Sequence, residues 1–221
     1  MATQNLATSA LHAGHDVKQT GGTRAVPIYQ TSSYVFNDSE HAANLFSLKE
    51  LGFIYTRLNN PTNQILQDRL AAIEGGIGAV VFASGTAAIS TGLLTLLKAG
   101  DHIVASSSLY GGTYNLLSVT LPRFGITTTF VDASDPNNFA AAVKENTRAF
   151  FVESLGNPKL DVLDLEAISE QSKEAGVPFI VDNTVATPVL LNPIKHGADI
   201  VIHSLTKYIG GQGTSLGGAI V

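Results

Sequence analysis

Short apolar runs alternate with longer amphipathic segments from Ala79 onward, and this alternation limits the fold more than any other feature. Strands are predicted at residues 79–83, 102–105, 127–131, 149–152, 178–181, 200–202 and 217–221. Helices are predicted from Ser84–Ala88 to about Lys98, from Tyr114 to about Arg123, from Asp135-Pro136 onward and from Asp164 to Ala175. This order indicates an α/β fold with a mostly parallel central sheet and helices on both faces.

The composition suits such a fold and excludes several functions. Hydrophobic residues make up 44% of the chain and charged residues 14%, as expected of central strands covered on both faces. A net charge of -5 without a basic run argues against nucleic acid or an anionic membrane as the main partner. The absence of cysteine excludes disulfides, thiolate metal sites and cysteine nucleophiles. No apolar run approaches the ~18 residues that cross a bilayer, and no signal-peptide core occurs, so the sequence predicts a cytoplasmic protein.

Residues 1–60 show no sustained hydrophobic period and are predicted to form an extended N-terminal arm rather than a compact domain. A short helix is expected to begin at Asp38-Ser39 and to reach Lys49. Thr62 is expected to cap a helix over residues 63–74.

Tyr55 and Arg57 stand just before that helix. They belong either to an ordinary turn or to a phosphate clamp, because a guanidinium offers paired donors that a tyrosine hydroxyl can supplement. The two residues taken alone do not decide between these interpretations.

The segment after the strand at 200–202 carries a lysine in an unusual place. Ser204 lies three residues before Lys207 and Thr206 directly before it, and Gly210-Gly211 follow it. An ammonium at the mouth of a buried strand loses hydration, so it needs a nearby anion or shifts toward the nucleophilic neutral amine. Because the two hydroxyls could hold a phosphate beside the amine, the segment predicts a lysine that forms a Schiff base with a phosphorylated aldehyde cofactor.

Further polar residues follow other predicted strands, whose carboxyl ends meet along one edge of a parallel sheet. Ser84-Gly85-Thr86 opens a helix and favours a phosphate, although an ordinary N-cap by Ser84 is the simpler alternative for this motif alone. Tyr110 would either stack on a flat cofactor or be a surface aromatic residue. Asp182, followed by Thr184, would either turn the chain or hold a proton on a heteroaromatic nitrogen.

Together these groups form the inventory of a pyridoxal 5′-phosphate (PLP) enzyme, which needs phosphate donors, a stacking ring, an acid and a lysine. The lysine carries the aldehyde and moves protons, and the acid keeps the pyridine nitrogen protonated. Glu153 and Asn157 end another strand at the same predicted edge. Other cofactor classes fit less well, because the chain has no phosphate-loop motif, residues 211–217 lack dinucleotide spacing, and the six scattered histidines predict no metal site.

At these positions the sequence resembles the Cys/Met metabolism family of PLP-dependent enzymes, the cystathionine γ-synthase/γ-lyase group of fold type I. The resemblance covers essentially the whole chain. It rests on Tyr55-Thr56-Arg57 with Asn60-Pro61-Thr62, Ser84–Ala88, Tyr110–Tyr114, Glu153-Ser154 with Asn157-Pro158, Val181–Thr184 and Ser204–Tyr208.

The resemblance implies a role for each of these residues. Lys207 would attach the cofactor, Asp182 would pair with the pyridine nitrogen and Tyr110 would stack on the ring, and these three are the predicted catalytic residues. The predicted cofactor-binding set adds Tyr55, Arg57, Ser84, Gly85, Thr86, Asn157, Thr184, Ser204 and Thr206. Tyr55 and Arg57 would complete the phosphate site of a neighbouring subunit, which implies a homo-oligomer, a dimer that pairs into a tetramer.

Within the family, the resemblance is greatest to the O-acetylhomoserine sulfhydrylases, on Ala10–Gly14, Ala43–Leu48 and Val185–Pro188. It implies γ-replacement on O-acetyl-L-homoserine, in which sulfide or another sulfur donor displaces acetate to give homocysteine for methionine biosynthesis. The alternatives are a cystathionine γ-synthase or methionine γ-lyase type of activity, or a non-catalytic fragment or subunit. The resemblance further implies that residues 61–221 form an incomplete PLP-binding domain, and that a C-terminal domain beyond Val221 carries the arginine for the substrate α-carboxylate.

Overall fold

The computed structural model describes residues 5–221, and the chain divides into two compact units, Met1–Ala72 and Ile73–Val221. The first unit contains α1 (Leu6–His12), α2 (Ser39–Phe46) and most of α3 (Pro61–Glu74). The second contains the whole sheet and the remaining helices.

The second helix begins where the sequence predicts and ends earlier. Asp38 caps α2, because its side chain accepts the backbone N–H of His41 at 2.7 Å. The predicted extension to Lys49 is wrong. The chain leaves the helix at Ser47, and Leu48 then takes a φ of 57°, which a helix does not allow.

The expected cap of the third helix is also wrong. Pro61 is the first residue of α3, a position that suits proline because its missing N–H would be unpaired there anyway. Asn60 takes the capping role, since its Oδ1 accepts the N–H of Thr62 at 2.9 Å. The Thr62 hydroxyl instead donates to the carbonyl of Pro27 and accepts the N–H of Tyr29, which ties the preceding segment to the helix.

The second unit is built on a seven-stranded sheet with the strand order β1-β7-β6-β5-β4-β2-β3. The strands are β1 (Val80–Phe82), β2 (His102–Ser106), β3 (Thr127–Val131), β4 (Thr147–Glu153), β5 (Phe179–Asp182), β6 (Ile200–His203) and β7 (Gly218–Ile220). The two pairs that β7 makes, with β1 and β6, are antiparallel and the other pairs are parallel, so the prediction of a mostly parallel sheet is confirmed.

Helices cover both faces of the sheet, as predicted. They are α4 (Gly85–Leu96), α5 (Gly111–Asn115), α6 (Asn137–Ala141), α7 (Leu165–Ala175) and α8 (Thr187–Leu190). A π-helical turn (Leu116–Thr120) and a 3-10 turn (Leu121–Phe124) continue α5 across the helix predicted from Tyr114 to Arg123. A further 3-10 turn spans Pro193–His196.

Successive strand residues alternate between two apolar clusters, because side chains along a strand point to opposite faces. Ile103 and Phe151 pack with residues of α4 and of the helical segment that α5 begins. Val104 and Phe150 pack on the other side with residues of α6 and α7. The strands are therefore buried on both faces, which explains their continuous apolar sequence.

The strand order also creates a place for a ligand. The chain passes from β2 outward to β3, then returns to place β4 on the other side of β2 and continues to β5. Connections that leave in opposite directions open a crevice at the carboxyl ends of the two strands, here β2 and β4. None of the helices within residues 5–221 is long and apolar enough to cross a membrane.

Candidate active site

Lys207 lies on a tight turn that follows β6. Its backbone N–H donates to the carbonyl of Ser204 at 3.2 Å, and its carbonyl accepts the N–H of Gly211 at 2.8 Å. The turn carries the lysine past the end of the strand, and its side chain is exposed. The expected loss of hydration is therefore wrong for Lys207 in the described chain.

Asp182 ends β5 and is held by Thr184. The backbone N–H and the hydroxyl of Thr184 both donate to Oδ1 of Asp182, at 3.0 and 2.5 Å. The same hydroxyl oxygen accepts the N–H of Ser204 at 2.7 Å. One threonine hydroxyl thus links the acid at the end of β5 to the loop that follows β6.

The electrostatics of Asp182 reflect its burial, with 8% of the residue exposed. Burial raises the pKa of Asp182, because the charged form loses water. The two hydrogen bonds from Thr184 and the charge of His203 oppose this effect and lower the pKa. A cation placed against Asp182 would favour its ionised form further.

The amino end of α4 lies against Ser204. A Cβ on Gly85 would be 2.6 Å from the Cβ of Ser204, so only glycine allows this approach. Ser84 caps the helix by accepting the N–H of Ala87 at 3.1 Å, which is the ordinary capping role considered as the alternative. The first-turn N–H groups, including that of the exposed Thr86, lack carbonyl partners within the helix and attract anions.

Thr206 makes a structural contact in this part of the chain. Its hydroxyl donates to the carbonyl of Gly217 at 3.2 Å and accepts the N–H of the same residue at 3.1 Å. The pair connects the lysine turn to the residue that precedes β7.

Tyr110 and Asn157 are brought together by a buried glutamate. Tyr110 precedes α5, its side chain is 52% exposed, and its N–H donates to Oε1 of Glu153 at 2.7 Å. The N–H of the exposed Asn157 donates to Oε2 of the same carboxylate at 3.2 Å. Burial, with a smaller contribution from the charge of Asp182, raises the pKa of Glu153 to about 7.

Tyr55 and Arg57 lie in the first unit, on a loop connected to the segment before α2. The loop is fixed by a β-bridge between Ser33 and Tyr55 and by a 2.9 Å hydrogen bond from the N–H of Thr56 to Ser32. The Arg57 guanidinium lies 5.4 Å from the centroid of the Tyr55 ring, and both side chains are exposed. Among residues 5–221, no group of three or more His, Cys, Asp or Glu side chains could hold a metal ion.

Known proteins match this chain along almost its entire length. The profile of the family described as Cys/Met metabolism PLP-dependent enzyme matches residues 7–221. The chain belongs to that family. This finding confirms the resemblance deduced from the motifs, and the α/β fold agrees with it.

Individual relatives agree with the family assignment. An O-acetyl-L-homoserine sulfhydrylase from Leptospira meyeri is 59% identical over 97% of this chain and 48% of its own length. A homocysteine synthase from Schizosaccharomyces pombe is 54% identical over 99% of this chain and 51% of its own length. The chain thus spans about half the length of the curated relatives it matches.

A solved structure from Campylobacter jejuni covers 98% of this chain and 54% of its own, with a TM-score of 0.95 and 45% identity. It is of a protein named as a candidate O-acetylhomoserine (thiol)-lyase, and it contains N′-pyridoxyl-lysine-5′-monophosphate.

The described residues fit the cofactor of the Cys/Met metabolism family. A phosphate needs hydrogen-bond donors, and the amino end of α4 provides N–H groups. The Ser204 side chain lies beside Gly85 at this end of the helix. Asp182 provides a buried acid on the strand next to the one that leads to Lys207. The phosphate of PLP would therefore match the amino end of α4, and its pyridine nitrogen would match Asp182.

The sequence alone predicts no role for Glu153, which ends an apolar strand and stands in register with Asp182 in the structure. Its bond from Asn157 is local, but its bond from Tyr110 spans 43 residues of sequence, which no local pattern encodes.

A second buried group also escaped sequence analysis. Glu74 and His203 are fully buried, and Oε1 of Glu74 lies 2.7 Å from Nε2 of His203. The same oxygen accepts from Nδ2 of Asn183 at 3.3 Å, while the Oδ1 of Asn183 accepts the hydroxyl of Ser154. Two members of this network, Asn183 and His203, lie directly next to Asp182 and Ser204 in sequence, so the network joins the ends of β5 and β6.

Proposed function

We propose that this chain is the PLP-binding part of an enzyme that carries out γ-replacement on O-acetyl-L-homoserine. Sulfide, or another sulfur donor, would displace acetate and give homocysteine. The observation that carries the proposal is the buried Asp182, held by Thr184 and joined through it to the Ser204–Lys207 turn. The names of the similar sulfhydrylase and homocysteine synthase support the choice of substrate and product.

When bound, PLP supplies an electron sink that stabilises negative charge as it develops on a substrate carbon. Lys207 would bind the cofactor aldehyde and would then remove the proton from the α-carbon of the amino acid. The same amine would assist removal of a proton from the β-carbon, which prepares the departure of acetate from the γ-carbon. An exposed lysine on a glycine-rich turn has the reach and freedom for these tasks.

The other residues would bind and orient the cofactor. Asp182 would hold the proton on the pyridine nitrogen, since a carboxylate beside a cation stays ionised. The N–H groups of Gly85 and Thr86 would bind the phosphate with the hydroxyls of Ser204 and Thr206, with the Ser84 cap keeping this end of α4 in place. Tyr110 would cover one face of the ring, and Asn157 would lie near its edge.

We further propose that the protein works as a homo-oligomer, as a dimer that pairs into a tetramer. Tyr55 and Arg57 would add a hydroxyl and a guanidinium to the phosphate site of a neighbouring subunit. Large apolar side chains of the first unit are strongly exposed, including Ile28 at 83%, Val35 at 96% and Leu51 at 89%. Exposed apolar surface of this kind needs a cover, which a second subunit would supply.

The proposal keeps the domain roles implied by the sequence. Residues 1–60 would act as an arm for the neighbouring site, and residues 61–221 would bind the cofactor. A C-terminal domain would add the group that binds the substrate carboxylate. We also propose a cytoplasmic location.

Turnover of competing substrates tests the proposed reaction. The full-length protein, including the proposed C-terminal domain, is purified, loaded with PLP and supplied with O-acetyl-L-homoserine and sulfide, with O-succinylhomoserine and cysteine, or with methionine alone. We expect homocysteine from the first mixture at a rate at least ten times that of product formation in the others. Preferential release of methanethiol from methionine, or preferential use of O-succinylhomoserine, would instead identify one of the alternative activities.

A further inference from the structure

Glu153 joins two loops that follow different strands. Its Oε1 accepts the N–H of Tyr110 at 2.7 Å, and its Oε2 accepts the N–H of Asn157 at 3.2 Å. The residue is only 5% exposed, so both oxygens depend on protein donors rather than on water. A carboxylate that accepts one N–H with each oxygen fixes the separation of the two backbone segments.

The contact lies at the carboxyl ends of β2 and β4, where a ligand would bind. Tyr110 follows β2 and Glu153 ends β4, and these adjacent strands form the crevice where the chain connections diverge. The two loops also touch directly, since a Cβ on Gly156 would be 2.4 Å from the Oγ of Ser108. A small change in either loop would therefore displace the other.

We propose that Glu153 is a positioning residue, which sets the Tyr110 ring and the Asn157 side chain against the bound cofactor through their backbone N–H groups. The inference rests on the proposed function, because it requires PLP beside Tyr110. The proposal gives Glu153 no contact with a reacting atom, and the observed partners of its two oxygens are backbone N–H groups. Its effect passes entirely through the two loops.

The variant Glu153→Gln tests this proposal at constant side-chain volume. A glutamine has one acceptor oxygen, so its amide nitrogen would face the N–H of Tyr110 or Asn157 without bonding to it. We expect amide hydrogen exchange in the peptides that contain these two residues to become at least tenfold faster. The variant should still bind PLP at Lys207, but the visible circular dichroism of the cofactor should fall by half or more, because the ring loses its fixed orientation.

Glu170→Gln, which removes an exposed carboxylate from α7, is the matched control and should change neither measurement. Wild-type exchange and wild-type circular dichroism in Glu153→Gln would overturn the proposal. Should that variant fail to fold, Glu153→Asp keeps the charge but shortens the reach, and faster exchange at one of the two amides is expected. Unchanged exchange at both amides of Glu153→Asp would equally overturn the proposal.

The proposed function and this inference fail in different ways. A wild-type protein that takes up no PLP would contradict the proposed function itself. The exchange comparison needs no cofactor, so it decides separately whether Glu153 holds the two loops.

Discussion

Glu153 and Asp182 lie opposite each other in register on the parallel strands β4 and β5, and both side chains are buried. The charge of Asp182 opposes the ionisation of Glu153 and adds to the effect of burial in raising the pKa of Glu153. The protein thus keeps two acids at one end of its sheet. Thr184 donates hydrogen bonds to Asp182, and backbone N–H groups donate to Glu153.

The stability of the protein should fall as pH rises because of Glu153. The pKa of Glu153 is about 7 in the folded chain, above its usual value of 4.5, so the folded state holds this proton more tightly than the unfolded state. This contribution to stability is fully present below pH 4.5 and is lost as the pH rises to about 7, a change of about 3 kcal/mol. Urea unfolding of the wild type and Glu153→Gln at pH 5 and pH 8 should show the variant gaining relative stability at pH 8. An equal difference at both pH values would contradict the assignment.

His102 should make the stability of the protein depend on pH in the opposite direction. His102 is fully buried, with Nδ1 2.8 Å from the hydroxyl of Thr147 and Nε2 2.7 Å from that of Thr129. Burial, assisted by the charge of Lys144, lowers the pKa of His102 below 6.5. The stability that the neutral His102 contributes is therefore present above pH 6.5. It is lost as the pH falls toward the lowered pKa of the folded state, because the unfolded chain takes up the proton first.

The variant His102→Asn removes this titration and should unfold with a flatter stability profile between pH 6.5 and pH 5 than the wild type. Chemical unfolding at closely spaced pH values measures the two slopes. Identical slopes would show that His102 does not control stability in this range.

The hydroxyl of Thr184 should be essential for cofactor affinity. Thr184→Val removes the hydroxyl that donates to Asp182 and accepts the Ser204 N–H, so Asp182 keeps only the backbone N–H of residue 184 and the Ser204 N–H loses its acceptor. We expect PLP to bind roughly tenfold more weakly, measured by titration of the cofactor absorption. Thr184→Ser keeps the hydroxyl and should bind close to the wild type, whereas an equal loss in both variants would contradict the role of the hydroxyl.

The buried pair of Glu74 and His203 should dominate the stability of the strand ends. Replacing His203 leaves the Glu74 carboxylate buried with only the 3.3 Å hydrogen bond from Asn183, at a cost of roughly 3–5 kcal/mol. His203→Phe should therefore lower the free energy of unfolding by this amount. The exposed pair of His196 and Glu166, at 2.9 Å, is the control, and His196→Ala should cost less than about 1 kcal/mol. Similar costs in the two variants would contradict the importance of burial.

Local sequence patterns are sufficient to predict the strands and to place the site at the carboxyl edge of the sheet. Apolar runs such as Phe150–Val152 predict buried strands because both faces are covered, and the polar residue that ends such a run falls at the ligand edge. The reversed direction of β7 and its place between β1 and β6 follow from long-range pairing, which hydrophobic periodicity does not encode.

The parts that the sequence missed depend on distant partners. The contact between Glu74 and His203 spans 129 residues, so neither residue shows locally that it is half of a pair. Thr62 has the features of a helix cap, but the carbonyl of Pro27 and the N–H of Tyr29 compete for its hydroxyl. Lys207 was expected to be dehydrated because it follows a buried strand, yet the turn between them carries it to the surface.

Borohydride reduction of the PLP-loaded protein, followed by peptide mass spectrometry, tests the central role of Lys207 most directly. Reduction makes the bond between lysine and cofactor permanent, so we expect a pyridoxyl group on the peptide that contains Lys207. Lys207→Ala should lose this label and the visible absorption of the bound cofactor, while Lys195→Ala, which removes another exposed lysine, should keep both. A label on a different lysine, or an unchanged yellow colour in Lys207→Ala, would contradict the account.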